Sequence, residues 1–518
     1  MKSLLSKEKV IELFFKYPIA YFSIFFLYAT RSQFYMINNI QIYDSIIHNL
    51  LIFWGLIIIF YYLITNRNIF NNGKKFLFMW IASSVITIFV NIFQIRFDSI
   101  RSAILTTIVI ITFLNSYRIL RERYTDVIVF KYVFYPSIFL KFISSIISLG
   151  MYFYNISIFV ISELPNPYTY GIRYVSLGND TYNLLLYGTF FSPNKEVMQA
   201  IPLMMIALYI LLSKKMLVNR FEKIILSVFS VIEYIVVALC NSRGALYSII
   251  VAFLMYILSI IIKKVKGNSK VSVKQVFILI ISLFIMVLGY NEVKVISATL
   301  VSKVEYKRYI YEKINGNIIK LSEEEIKNNV EYEKYRGKIF EYNPVDKKDK
   351  VEEEIRDKIV IDKEDSGEEL GNGRISIWKE TLRLYMKKPL FGIGQGMNTE
   401  FSKKFGSADF PILNAGVAIH NSYLALLLSQ GLVGMLIVFL WMSRLLIEFL
   451  KFELKHNCIE FSILHMSLYF ILIVSLFLDV IFIRDEFTQL IMLFNIGYLT
   501  YAKGEYDERK NKCNSTGI

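Results

Sequence analysis

GNGRISIWKETLRLYMKKPLFGIGQG (371–396), a polar passage, and AIHNSYLALLLSQGLVG (418–434) make up the stretch on which the reading of this chain turns. A long hydrophilic insertion ends there and an apolar helix begins. Arg374 opens an amphipathic pattern that puts Ile375, Trp378, Leu382 and Tyr385 on one face. Residues 389–396 (PLFGIGQG) stop that helix. No strand precedes these glycines, which excludes a nucleotide-binding loop; positive φ and close backbone approach are their expected use. His420 lies beside Asn421 at the boundary, where Asn421 or Ser422 can cap the helix that follows.

Outward from that stretch the chain is apolar. Its 518 residues are 55% hydrophobic and 19% charged, and apolar blocks of about 18 to 25 residues recur, the length that crosses a bilayer as helix. The expected fold is an all-α, polytopic membrane bundle of about twelve helices. Spans are expected near 11–29, 43–64, 76–93 and 99–114. The block 127–160 is split into an interfacial stretch to Leu140 and a crossing after it, because Lys141 at mid-bilayer is costly. Further spans fall at 197–212, up to Cys240, 245–262, 276–290, from His420 to near Arg444, 461–481 and 490–501. The polar stretch 162–194 reads as a loop.

A net charge of +15 is gathered in short loops such as NRNIFNNGKK (66–75) and KKVKGNSKVSVK (263–274). That is the positive-inside pattern, not a nucleic-acid stripe. Both termini then fall in the cytoplasm of a plasma (inner) membrane protein. The expected division is 1–290 with helices 1–9, an extracytoplasmic loop domain 291–418, and 419–518 with helices 10–12 and the tail. Within the loop domain, the Glu/Lys-rich stretch 311–369 reads as a solvated helical or flexible excursion. Cys240, Cys458 and Cys513 show neither disulfide nor zinc spacing. No outer loop carries Asp-x-Asp or a His/Asp cluster, so no metal and no cofactor is expected.

Counting spans places SPN (192–194), NSRG (241–244), NGR (372–374) and HN (420–421) on the outer face. Arg243 lies where positive charge is disfavoured and suits an anionic partner such as phosphate; pairing with lipid headgroups or a nearby Glu is the plain alternative. Arg374 opens a helix whose free N–H groups suit phosphate, or simply begins a surface helix. His420 can serve as base, or donate a hydrogen bond to phosphate, near neutral pH, or be an ordinary interfacial histidine.

In this order the motifs SPN, NSRG, NGRISIW…PLFGIGQG and HNSYL…QGLVG resemble the O-antigen ligase and O-antigen polymerase superfamily, over about residues 180–440. The resemblance implies a membrane glycosyltransferase that takes glycan from a polyprenyl-diphosphate carrier at the outer face. It implies functional roles for Arg243, Arg374 and His420, with Asn194, Asn421, Trp378 and Gly394 as substrate-binding neighbours. Its implied partners are the lipid-linked oligosaccharide, membrane lipid, a chain-length regulator and a flippase. The expected chemistry is inverting, since no carboxylate pair argues for a covalent route.

Polymerase is expected ahead of ligase. Heavy use of Ile, Lys, Asn, Tyr and Phe points to an AT-rich genome, and many such bacteria lack the lipid A core that a ligase needs. A transporter of lipid-linked glycans is the rival of another class, and a membrane sensor built around the outer loop a third.

Overall fold

The computed structural model describes residues 18–30, 41–65, 73–93, 97–161, 168–178, 181–190, 192–213, 215–265, 273–314, 317–340, 374–406, 419–456, 458–482 and 486–515. Outside the described residues lie the start of the first expected span, the basic centres at 66–72 and 266–272, residues 341–373 of the insertion, the passage 407–418, and 483–485 of FIRDEF.

The helices are α1 (Pro18–Ala29), α2 (Gln41–Thr65), α3 (Lys74–Val90), α4 (Phe97–Leu114), α5 (Ser116–Arg121), α6 (Asp126–Phe153), α7 (Pro193–Leu212), α8 (Arg220–Cys240), α9 (Arg243–Val265) and α10 (Val273–Val301), followed by α11 (Glu323–Asn328), α12 (Glu333–Ile339), α13 (Arg374–Tyr385), α14 (Asn398–Phe405), α15 (Ser422–Lys455), α16 (Ile459–Val474) and α17 (Phe487–Ser515). Among the described residues, seven are long and apolar enough to cross a membrane: α6, α7, α8, α9, α15, and the apolar parts Ile46–Thr65 of α2 and Leu283–Val301 of α10. Pro18–Ala29, Ser99–Leu114 and Glu460–Val474 are apolar but shorter. The protein is therefore a multi-pass membrane helix bundle, with seven of the roughly twelve expected spans meeting the length criterion. Its core is strongly aromatic: Phe113 takes edge contacts from Phe22, Phe25 and Phe26, and Phe494 from Phe26, Tyr117, Phe130 and Phe134.

Three expectations change. First, the chain is not helical throughout. Strands β1 (Ile156–Ile161), β2 (Tyr168–Gly178), β3 (Thr181–Gly188), β4 (Lys307–Ile314) and β5 (Asn317–Leu321) form one sheet in the order β3-β2-β1-β4-β5. The end of the expected crossing 127–160 is thus a strand that pairs with the start of the insertion, β1 running parallel to β4 from Ile156↔Lys307 to Ile161↔Glu312, while the expected loop 162–194 supplies β2 and β3. Prolines and glycines in that loop masked an alternation of Tyr, Ile and Val that suits strands. Gly171 takes φ +77° at an irregularity in the β2–β3 pairing. On one sheet face Phe159, Ile161 and Ile310 pack against Ile326, Tyr332, Tyr335 and Ile339, so residues 307–314 and 317–340 are folded rather than a solvated excursion.

Second, α6 is a single helix of 28 residues with Pro136 inside it. It does not divide at Leu140, because Lys141 is buried and ion-paired instead of interfacial. Third, α10 runs on to Val301, beyond the expected end at Tyr290. The polar Asn291, Glu292 and Lys294 lie inside the helix, within its apolar part Leu283–Val301.

Because α6 leads into β1, β3 into α7, and α10 into β4, the sheet caps one end of the bundle. The same end carries the turn between α8 and α9, the start of α15 and the end of α16.

Candidate active site

Asn421 is the N-cap of α15. Its side-chain oxygen accepts the N–H groups of Tyr423 and Leu424, both at 3.0 Å, a cap worth about 1 kcal/mol. His420, immediately before it, has φ +56°, a left-handed conformation that costs a non-glycine residue roughly 1–2 kcal/mol. The segment after α16 holds it there. Asp479 Oδ2 accepts the His420 N–H and Oδ1 that of Asn421, each at 2.9 Å. Ser422 donates its N–H to Ser475 O at 2.9 Å and its hydroxyl to Leu478 O at 2.8 Å, while accepting the N–H groups of Val480 and Ile481. The two bonds to the Asp479 carboxylate are charge-assisted and each contribute about 1.5–3 kcal/mol, enough to offset the strain at His420.

Arg374 opens α13, and Trp378 one turn later donates its indole N–H to Ile419 O at 3.1 Å. This ties α13 to the residue preceding His420. The buried face of α13 is Ile377, Thr381 and Leu384, with Glu380, whereas Ile375 is 39% and Leu382 43% exposed. Of the expected stripe, Trp378 and Tyr385 pack against this core, and Ile375 and Leu382 do not. The small Thr381 and the charged Glu380, which binds Arg383 at 2.7 and 2.6 Å, hide the true face from a hydrophobicity count.

The three groups act on one another. Burial pushes the His420 imidazole below its ordinary value of 6.5, with Asp479 opposing and Arg374 adding to the shift. Burial likewise lowers Arg374, and Asp479 opposes it; a guanidinium is still a cation at any relevant pH. The site therefore presents a neutral imidazole beside a fixed positive charge and a carboxylate whose two oxygens are engaged by backbone.

Arg243 is the first residue of α9 and is exposed. It reaches the same end of the bundle through its neighbours. Ser242 Oγ donates to Asn194 Oδ1 at 2.8 Å, joining NSRG to SPN. A Cβ on Gly244 would come within 3.2 Å of Phe477 Cβ, two residues from Asp479. The structure thus brings Arg374 and His420 together around Asp479, and sets the Arg243 turn against the same 475–481 segment.

Gly394 lies elsewhere, in a backbone plug. Helix α15 is broken at Gly431, φ +68° and ψ −171°, about 14 Å from its start at 1.5 Å per residue. The loop after α13 fills the break. Ile393 and Gly394 donate to Leu428 O and Ser429 O at 3.0 and 2.9 Å, and Leu432 and Val433 donate back to Pro389 O and Leu390 O at 2.8 and 3.1 Å. Thr87 and Asn91 at the end of α3 bond Phe391 O and Gly392 O. These bonds give peptide groups around the break partners, as irregular backbone at membrane depth requires. A Cβ on Gly392 would fall 2.5 Å from Gly431 N, and one on Gly431 would strike the Leu390 carbonyl.

Asp479 was not singled out from the sequence. Its signal was an acidic residue inside the apolar run SLFLDVIFI (475–483), where intramembrane charge calls for a functional reading.

The family model described as O-antigen ligase matches residues 224–439, a range that contains NSRG, Arg374, PLFGIGQG, His420 and Gly431. Over that range the chain is similar to the O-antigen ligase family. No curated protein matches the chain. Within the matched range fall both arginines and the histidine of the site; Asn194 precedes it and Asp479 follows it. Enzymes of the O-antigen ligase and polymerase superfamily are membrane glycosyltransferase-like, and the multi-pass bundle seen here accords with that class.

Proposed function

We propose that this chain polymerises cell-surface polysaccharide. In this reading it moves glycan from undecaprenyl diphosphate to the sugar hydroxyl of a lipid-linked acceptor at the outer face of the plasma membrane. The sheet-capped end then faces outward and both termini lie in the cytoplasm. The observation that carries the reading is the arrangement of Arg374, His420 and Asp479 beside the Arg243 turn: two cations suited to a diphosphate, and a neutral imidazole held in a fixed conformation.

Arg243 and Arg374 bind the diphosphate and stabilise the charge that grows on it as the anomeric C–O bond breaks. Arginine supplies this charge in place of a divalent cation. His420 takes the proton of the acceptor hydroxyl as that oxygen bonds to the anomeric carbon. The diphosphate leaves with the bonding electron pair on the lipid carrier. Asp479 gives both oxygens to backbone N–H groups, so it orients His420 and is not free to form a glycosyl ester. This favours a single displacement with inversion. Asn194, Trp378 and Asn421 hold the surrounding turns in place, and a flippase and chain-length regulator supply donor and set product length.

Deletion followed by gel profiling of surface glycan tests the assignment. Single-repeat material is the expected result. Free lipid-linked polymer would instead assign the chain as a ligase, and unchanged glycan would refute both.

A further inference from the structure

Lys141 on α6, Glu196 on α7 and Glu233 on α8 meet inside the bundle with no exposed side-chain surface. Lys141 Nζ binds Glu196 Oε1, lies 3.2 Å from Glu233 Oε2, and donates to Ser145 Oγ at 2.9 Å. Ser145 donates in turn to Glu233 Oε1 at 2.6 Å. Ser144 pairs with Thr189 at 2.7 Å, and Ser148 accepts the Thr189 N–H at 3.1 Å. The cluster thus joins three helices and the chain just before α7.

Charges so deeply buried are costly, and replacing such a group by neutral side chains often leaves stability unchanged. Stability alone therefore does not account for it. Between helices in lipid, apolar surface gives little preference for one axial register over another, because lipid tails are as apolar as leucine. A directional polar contact does specify register, which is the best-attested use of buried polar groups. Glu196 lies two residues beyond Asn194, and Glu233 lies two turns, about 10 Å, before the end of α8. The α7–α8 interface that the cluster locks therefore ends in the Asn194–Ser242 hydrogen bond, next to Arg243.

The geometry points to a positioning role: Lys141, Glu196 and Glu233 set the axial register of α7 on α8 and so fix where Arg243 stands relative to the Asp479 segment. The consequence for transfer rests on Arg243 being a donor ligand; the register itself does not.

The test is thiol crosslinking of Asn194→Cys with Ser242→Cys in a chain whose Cys240, Cys458 and Cys513 are replaced by Ala. Efficient crosslinking is expected with the cluster intact. With Lys141→Met/Glu196→Gln/Glu233→Gln, which removes every charge together, the protein should accumulate in membranes as before while crosslinking falls about tenfold. In the otherwise native chain the same triple should lower kcat for glycan transfer by on the order of 10²-fold, the effect of a displacement of about 1 Å, and lower it no further once Arg243→Ala is present. Unchanged crosslinking overturns the proposal, as does a triple variant that fails to accumulate, since the cluster would then serve stability alone. Lost register with additive effects on transfer would leave the positioning role standing and overturn the role of Arg243 as donor ligand.

Discussion

Asp479 holds His420 by its backbone, Oδ2 accepting the His420 N–H at 2.9 Å while Oδ1 accepts that of Asn421. An amide at position 479 has one acceptor oxygen, and its NH2 group would face the other N–H. Asp479→Asn should therefore leave the chain in the membrane but lower transfer by on the order of 10²-fold, the effect of about 1 Å of misplacement. Asp479→Glu, with both oxygens displaced by one methylene, should recover only part. Glycan chain-length profiles of the two variants check this.

Arg374 offers a planar fork that a lysine lacks. Arg374→Ala and Arg243→Ala should each sharply reduce polymer while the protein still inserts. Arg374→Lys should keep the charge yet lose most of the rate. Normal long-chain material from either alanine variant would refute the mechanism.

The His420 shift sets the sign of the pH dependence. Its pKa lies below 6.5 because of burial, so the imidazole is neutral at pH 7 and able to accept a proton. As pH falls through that lowered value the base is protonated, so kcat/KM should hold through neutrality and decline only on the acid side of 6.5. His420→Ala should abolish this acid limb along with most of the activity. A limb unchanged in the residual activity of that variant would assign the titration to another group.

The glycines separate by what surrounds them. At Gly392 and Gly431 an added Cβ would strike backbone as well as adopt positive φ, and the conformation alone costs about 1–3 kcal/mol. Alanine at either should lower the thermal midpoint in detergent markedly. Gly396, whose Cβ would first meet Ser102 at 3.8 Å, should lose only the conformational part. Gly504, in a helix with open space around it, should gain roughly 0.5–1 kcal/mol as alanine.

Hydropathy made the helices legible, because each must be apolar over its own length. It could not show the sheet, whose central strands β1 and β4 lie about 150 residues apart and are recognisable only as partners. The arginines and His420 stood out as polar residues at predicted boundaries. Asp479 did not, since its meaning depends on two amides nearly 60 positions upstream. Lys141 read as an interfacial residue for a related reason: local sequence contains the cost of burying an ammonium, while the compensating carboxylates come from α7 and α8.

The parallel pairing of β1 with β4 also fixes an order of events during synthesis. At roughly 5–20 residues per second, β1 emerges about 10 to 30 seconds before its partner exists. Through that interval β2 can cover one side of β1, but the other edge is open. The four helices α7 to α10, threaded between β3 and β4, must all enter the membrane before that edge closes, so the cap is sealed only after α10 is in place. A ribosome paused within α10 would hold a nascent chain with a bare strand edge, the kind of edge that invites pairing with another chain.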